Sequence, residues 1–128
     1  MVEQTARRAG RIDIVVNNAG VMRFGKLEDS PVAEWDAMMK TNVFGPWRLM
    51  AQALPHLRRS GGGSIINISS LSGIKAFPGA GIYCASKSAL QSLSQVMAME
   101  VGADKVRVNC ILPAMVEETE LADPIISA

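Results

Sequence analysis

A length of 128 residues leaves room for one domain, and a hydrophobic content of 48% is enough to demand a buried core. The net charge of +1 offers no basic field for nucleic acid or an anionic membrane surface. No apolar run approaches the ~18 residues of a membrane span, and the first residues, with Glu3, Arg7 and Arg8, lack the apolar stretch of a signal peptide. In chain order, residues 2–9 read as the end of a helix that Gly10 stops. Residues 12–16 form a short, almost purely apolar strand, of the kind found where both faces of a sheet are covered. Ser30-Pro31 marks a helix start, with serine as N-cap and proline at the first helical position. Trp35, Met38, Met39, Val43, Leu49, Met50, Ala53 and Leu57 then recur at helical spacing, so this helix covers residues 31–57. Ser60-Gly61-Gly62-Gly63 is a turn; it leads into a strand at 64–68, so no helix N-terminus is there to receive an anion. Residues 81–102 read as a second long helix with Leu90, Leu93, Val96, Met97 and Val101 as its core stripe, and 106–112 as a third strand. Each long helix joins two strands that lie side by side and parallel, which makes the fold α/β, with helices expected across both faces of the sheet.

The chemistry concentrates around Tyr83-Cys84-Ala85-Ser86-Lys87, with Ser70 thirteen residues before the tyrosine. On a helix Tyr83 and Lys87 stand at i and i+4 on one face. A free tyrosine titrates near ~10 and is a poor base at neutral pH. An ammonium about 5–6 Å away favours the phenolate by roughly 3 kcal/mol at an effective dielectric of about 20. That would bring the phenol into range for passing a proton to or from a hydroxyl or carbonyl. Ser70 adds an uncharged hydroxyl able to hold an oxygen on which charge develops. Asn42 stands four residues before Pro46, whose missing N–H and bulky ring disturb the Asn42 carbonyl. A kink is expected there, with the Asn42 carbonyl free to bind water.

The other conspicuous residues read as structural. His56, the only histidine, sits beside Pro55 near a helix end, where a partly solvated side chain meets the helix dipole. Trp35, Trp47 and the methionines fill core or interface. Glu117-Glu118 is a solvated loop. Cys84 and Cys110 lie on a helix and an apolar strand and read as two reduced thiols, consistent with a cytoplasmic protein. Neither has the spacing of a metal site, so no metal is expected.

Five segments together resemble the short-chain dehydrogenase/reductase family. Asp13-Ile14-Val15-Val16-Asn17-Asn18-Ala19-Gly20 is similar to the family's fourth strand and its Asn-Asn-Ala-Gly turn. Thr41-Asn42-Val43 resembles the helix that carries the asparagine of its catalytic tetrad. Gly63-Ser64-Ile65-Ile66-Asn67-Ile68-Ser69-Ser70 resembles the fifth strand, ending at the catalytic serine. The run from Pro78-Gly79 through Tyr83 and Lys87 to Ala89-Leu90 is similar to the active-site helix. Val106-Arg107-Val108-Asn109, followed by Pro113, resembles the sixth strand. The resemblance runs from Gly10 to about Val116.

It implies a truncated Rossmann-like parallel sheet of three strands and two long helices, with residues 1–128 as a partial NAD(P)-binding domain. The family opens with a strand, a turn of the Gly-x-x-x-Gly-x-Gly type and a helix whose N-terminus carries the cofactor pyrophosphate. No such turn occurs among these residues. At ~30 residues per βα unit, the three N-terminal units it lacks amount to roughly ninety residues. The first strand is therefore expected at an open edge with apolar surface beside it. By resemblance, Tyr83 is the general acid/base, Ser70 polarises the substrate oxygen, Lys87 binds the nicotinamide ribose, and Asn42 positions a relay water. Asn18, Ala19 and Gly20 line the cofactor crevice, and Val116 falls where a backbone group meets the nicotinamide carboxamide. Two departures affect that end of the site. Pro113-Ala114 stands where the family has Pro-Gly, and Glu118 precedes Thr119 where the family has its threonine. The resemblance thus implies NAD or NADP as cofactor, a small alcohol or carbonyl compound as substrate, and homo-oligomers formed through the two long helices. The alternative is a non-catalytic remnant that retains this helical interface.

Overall fold

In a computed structural model of the chain, residues 1–114 are described. Helix α1 spans Val2–Ala9 and ends at Gly10, whose φ of 78° places it in the left-handed region that glycine occupies at little cost. Strand β1 covers Ile14–Asn17, two residues later than the apolar run suggested. Helix α2 covers Val32–Met39, a π-helical turn covers Lys40–Phe44, and α3 covers Gly45–Arg59. Strand β2 is Gly63–Ile68, α4 is Gly81–Val101 and β3 is Val106–Ile111. The strands are parallel in the order β1-β2-β3, with Ile14 opposite Ser64 and Gly63 opposite Val106.

The helices do not lie on both faces of this sheet. Asn67 of β2 donates to Met50 Sδ of α3 and to Ser94 Oγ of α4, so both long helices cover one face. Val15, Ile65 and Val106 on that face pack with Met50, Ala53, Leu54, Leu57 and Val101. Two crossovers of the same hand that step in the same direction must leave their helices on the same side. The opposite face carries Ile14 and Val16, 63% and 52% exposed, and Ile111, 49% exposed. The apolar composition of β1 therefore answers to one covered face and one bare face, with β1 at the expected edge.

The long helix at 31–57 is interrupted as Pro46 requires, and the interruption takes the form of the π turn. The Gly45 amide closes this turn by reaching back five residues to the Lys40 carbonyl, and Pro46, next in the chain, has no N–H to offer the Asn42 carbonyl. Ser30 does not cap α2. Pro31 occupies the cap position, and the Ser30 hydroxyl donates to the Lys26 carbonyl at 2.9 Å. On α4, Leu90 and Val101 are buried as expected. Val96 is 46% exposed, whereas Ser94, a position the apolar pattern ignored, is buried. His56 is buried too: Nε2 meets Glu3 at 2.9 Å and Nδ1 meets Arg59 at 2.7 Å, tying α3 to α1. Both cysteines are free thiols.

Candidate active site

Parallel strands deliver their carboxyl ends to one rim, and the candidate residues collect there. Asn18 and Ala19 follow β1 as exposed residues, and Gly20 behind them is half-buried. β2 runs out into Ser69, buried, and Ser70, half-buried in extended conformation. The first two turns of α4 carry Tyr83 and Lys87, both buried, above a small second core of Met22, Met38, Ala80, Ile82 and Cys84. A parallel bridge between Gly25 and Ala80 joins the loop after β1 to the start of that helix.

Lys87 and Tyr83 share a helix face, with Nζ 5.6 Å from the centre of the phenol ring. Nζ donates to the Ile68 carbonyl at 2.9 Å. Burial pushes the lysine down from its ordinary value, opposed by the neighbouring Cys110. Burial likewise pushes the Tyr83 phenol up, the Ser70 hydroxyl pulls it down, and Cys84 pushes it up. The net direction is upward, the reverse of the direction expected from the Tyr-Lys spacing. The ammonium lies over the ring and is engaged by Ile68, and desolvation outweighs what it offers the phenolate. Ser70 Oγ also donates to Ser72 Oγ at 3.0 Å and accepts from the Ser72 amide at 3.1 Å.

Asn42 is 1% exposed and fully engaged through its side chain. Oδ1 accepts from the Val21 amide, while Nδ2 donates to the Val21 carbonyl, each at 2.8 Å. Nδ2 also donates to Ser86 Oγ at 3.0 Å, and Ser86 in turn donates to the Tyr83 carbonyl at 2.7 Å. The side chain is therefore a clamp between the segment after β1 and α4, which leaves only its backbone carbonyl for any relay. Gly20 fits into the same corner. A Cβ built there would lie 3.4 Å from Lys87 Nζ and 3.5 Å from Asn42 Oδ1, so the Gly20 backbone stands within one methyl's reach of both side chains.

The exposed backbone of Asn18 and Ala19, with Gly20 and the lysine close by, suits the nicotinamide-ribose part of a dinucleotide: small residues for close approach and an ammonium for ribose hydroxyls. Val116, Glu118 and Thr119 lie outside the described residues. Among the described residues no cluster of three or more metal-ligating side chains occurs. Ser69, Ser86 and Gln91, which the sequence reading did not single out, bind backbone or partner side chains around the site. Their signal was present in the spacing: Tyr83, Lys87 and Gln91 recur every fourth residue, and Ser86 can bond back to the carbonyl three residues earlier.

Comparison with known proteins bears on the family and the fold. The sequence profile described as short chain dehydrogenase matches residues 1–128. An NAD-dependent oxidoreductase of Mycobacterium tuberculosis, itself uncharacterised, is 40% identical over 125 residues, 97% of this chain and 45% of that protein. D-beta-hydroxybutyrate dehydrogenase of Rhizobium meliloti is 39% identical over 91% of this chain and 45% of its own length. The crystal structure of a gluconate 5-dehydrogenase from Burkholderia cenocepacia, in complex with NADP and tartrate, superposes with a TM-score of 0.95 at 31% identity. It is covered over 49% of its length by 99% of this chain. The chain thus spans about half the length of the relatives it matches. A parallel sheet delivering Ser70, Tyr83 and Lys87 to one rim, and a family profile matched from the first residue to the last, place this chain in the short-chain dehydrogenase family.

Proposed function

We propose that this chain forms the catalytic half of an NAD(P)-dependent oxidoreductase that interconverts an alcohol and a ketone or aldehyde. The observation that carries the reading is the gathering at one rim of Ser70, at the end of β2, and of Tyr83 and Lys87 on α4, with the Lys87 ammonium 5.6 Å from the phenol ring. A bound nicotinamide supplies the hydride donor or acceptor. Lys87 and the backbone of Asn18, Ala19 and Gly20 hold its ribose end, and Val116 is assigned to the carboxamide. Ser70 holds the substrate oxygen. Tyr83, kept protonated at neutral pH by burial, gives its proton to that oxygen in carbonyl reduction and takes one back in alcohol oxidation. The Asn42 carbonyl, disturbed by Pro46, positions a water behind Lys87.

The aromatic pair Phe44–Trp47, with ring centres 5.6 Å apart, and the exposed Trp35, Val96 and Met99 support assembly of copies through α2, α3 and α4. They also support the alternative that the chain serves chiefly as an interface. Activity separates the two. With no pyrophosphate turn among these residues, the chain alone is expected to bind NADH and NADPH weakly, read by nicotinamide fluorescence, and to show little turnover. Joined to the preceding half of a relative, it should oxidise or reduce members of a panel of small alcohols and ketones. Tyr83→Phe should lower that rate by about 10²–10⁴-fold. Turnover that survives Tyr83→Phe would overturn the assignment.

A further inference from the structure

Gln91 lies one turn beyond Lys87 on α4, on the face that carries Tyr83 and Lys87. Its amide nitrogen donates to two acceptors at the end of β2, Ser69 Oγ at 2.9 Å and the Ser70 carbonyl at 3.1 Å. Ser69 Oγ passes its own hydrogen to the Lys87 carbonyl at 3.0 Å. The turn that follows, Leu71–Gly73, is pressed against the same stretch of helix. A Cβ on Gly73 would collide with the Gln91 amide and lie 2.9 Å from the Lys87 carbonyl carbon. Ser88 Oγ donates to the Gly73 carbonyl at 2.6 Å, and the Leu71 amide donates to the Pro113 carbonyl at 2.9 Å.

We propose that Gln91 is a positioning residue that fixes where the Ser70 hydroxyl stands relative to Tyr83, by fastening the Ser69–Ser70 turn to the catalytic helix. Ser69 and Ser88 hold neighbouring groups, whereas Gln91 grips a backbone atom of Ser70 itself. Gln91 and the Tyr83 phenol stand on the same rigid helix, so the Gln91 bond sets the distance between the two hydroxyls. A side chain at 91 without a donor leaves the Ser70 carbonyl with the Gly73 amide alone, at 3.0 Å, and that bond stays within the turn. The turn then keeps its Ser69 and Ser88 bonds to α4, neither of which holds an atom of Ser70, so Ser70 itself can shift while the turn remains folded. The inference deepens the reading of Ser70 and Tyr83 as the pair that holds the substrate oxygen, and its catalytic consequence rests on that reading.

Tyr83 is the only tyrosine, so its ionisation can be followed by phenolate absorbance with no cofactor and no turnover. A single ring-carbon NMR resonance from labelled tyrosine reports the same hydroxyl at neutral pH, below any alkaline unfolding. The groups acting on the phenol are Ser70, Cys84 and the Lys87 ammonium over the ring. Ser70→Ala removes the hydroxyl that favours the phenolate and should move the titration upward. Gln91→Met should move it in the same direction, and the double variant no further than Ser70→Ala alone, because Gln91 acts through Ser70. Gln91→Asn, too short to reach, should repeat the result if the Met variant folds poorly, with circular dichroism monitoring the fold. An unmoved tyrosine signal in folded Gln91 variants, or shifts that simply add, would overturn the proposal. An intact coupling in a chain that never supports turnover would overturn the enzymatic reading and leave Gln91 as the residue that places Ser70.

Discussion

Lys87 and Tyr83 are buried side by side, yet burial gives them opposite pH signatures. The lysine is held below its ordinary value, so between its folded value and 10.5 the unfolded chain binds the extra proton. Wild-type stability should therefore rise with pH across that interval, relative to Lys87→Met, in urea unfolding measured at successive pH values. A gap between the two proteins that stays constant with pH would contradict the assigned direction. The phenol is held above 10.0, so its contribution is complete below that value and is lost as pH climbs through the folded value. Asn42 acts through geometry instead. Asn42→Ala strips partners from the Val21 amide, the Val21 carbonyl and Ser86, and should cost about 3 kcal/mol in the same assay.

Among the elements, the sequence was most legible where a single residue type forces the backbone. Gly10 ends α1, and Pro46 breaks the long helix. The local rule predicted a kink, and the structure resolves it as a π turn whose extra residue lets the Asn42 side chain engage Val21. Ser30-Pro31 points one position too early, because the first amides of α2, on Glu34 and Trp35, bond to the Pro31 carbonyl and make Pro31 the cap. The turn after β2 was not legible at all, since its grip on α4 depends on contacts between residues 15 to 22 apart in sequence. Gly73→Ala tests that grip. The added methyl meets the Lys87 backbone, which cannot yield as a side-chain end would, so the substitution should destabilise by about 1–3 kcal/mol in thermal unfolding.

For the whole molecule, the uneven distribution of apolar surface is the dominant fact. The sheet face bearing Ile14, Val16 and Ile111 is open, as are Val96 and Met99 on α4. Surface of that kind drives association. Met99, 77% exposed, contributes little to the core, so Met99→Glu should leave the unfolding free energy of the monomer within about 0.5 kcal/mol. It should nonetheless shift the population toward monomer in light scattering if α4 takes part in assembly. An unchanged mass distribution would remove α4 from the interface.

Sequence alone was enough for the three strands, the two long helical segments and their parallel order, and for the candidates Ser70, Tyr83 and Lys87 that collect at one rim. These follow from local signals: apolar periodicity, glycine and proline placement, and the spacing of Ser70, Tyr83 and Lys87. That both long helices share one face emerges only in three dimensions, because the side a crossover takes is set by how successive units step across the sheet. So does the phenol's shift up and not down, because desolvation is a property of what surrounds a group in space. Through-space hydrogen bonds likewise made Asn42, Ser86 and Gln91 the fasteners of the site, joining segments up to 44 residues apart that no window along the chain contains.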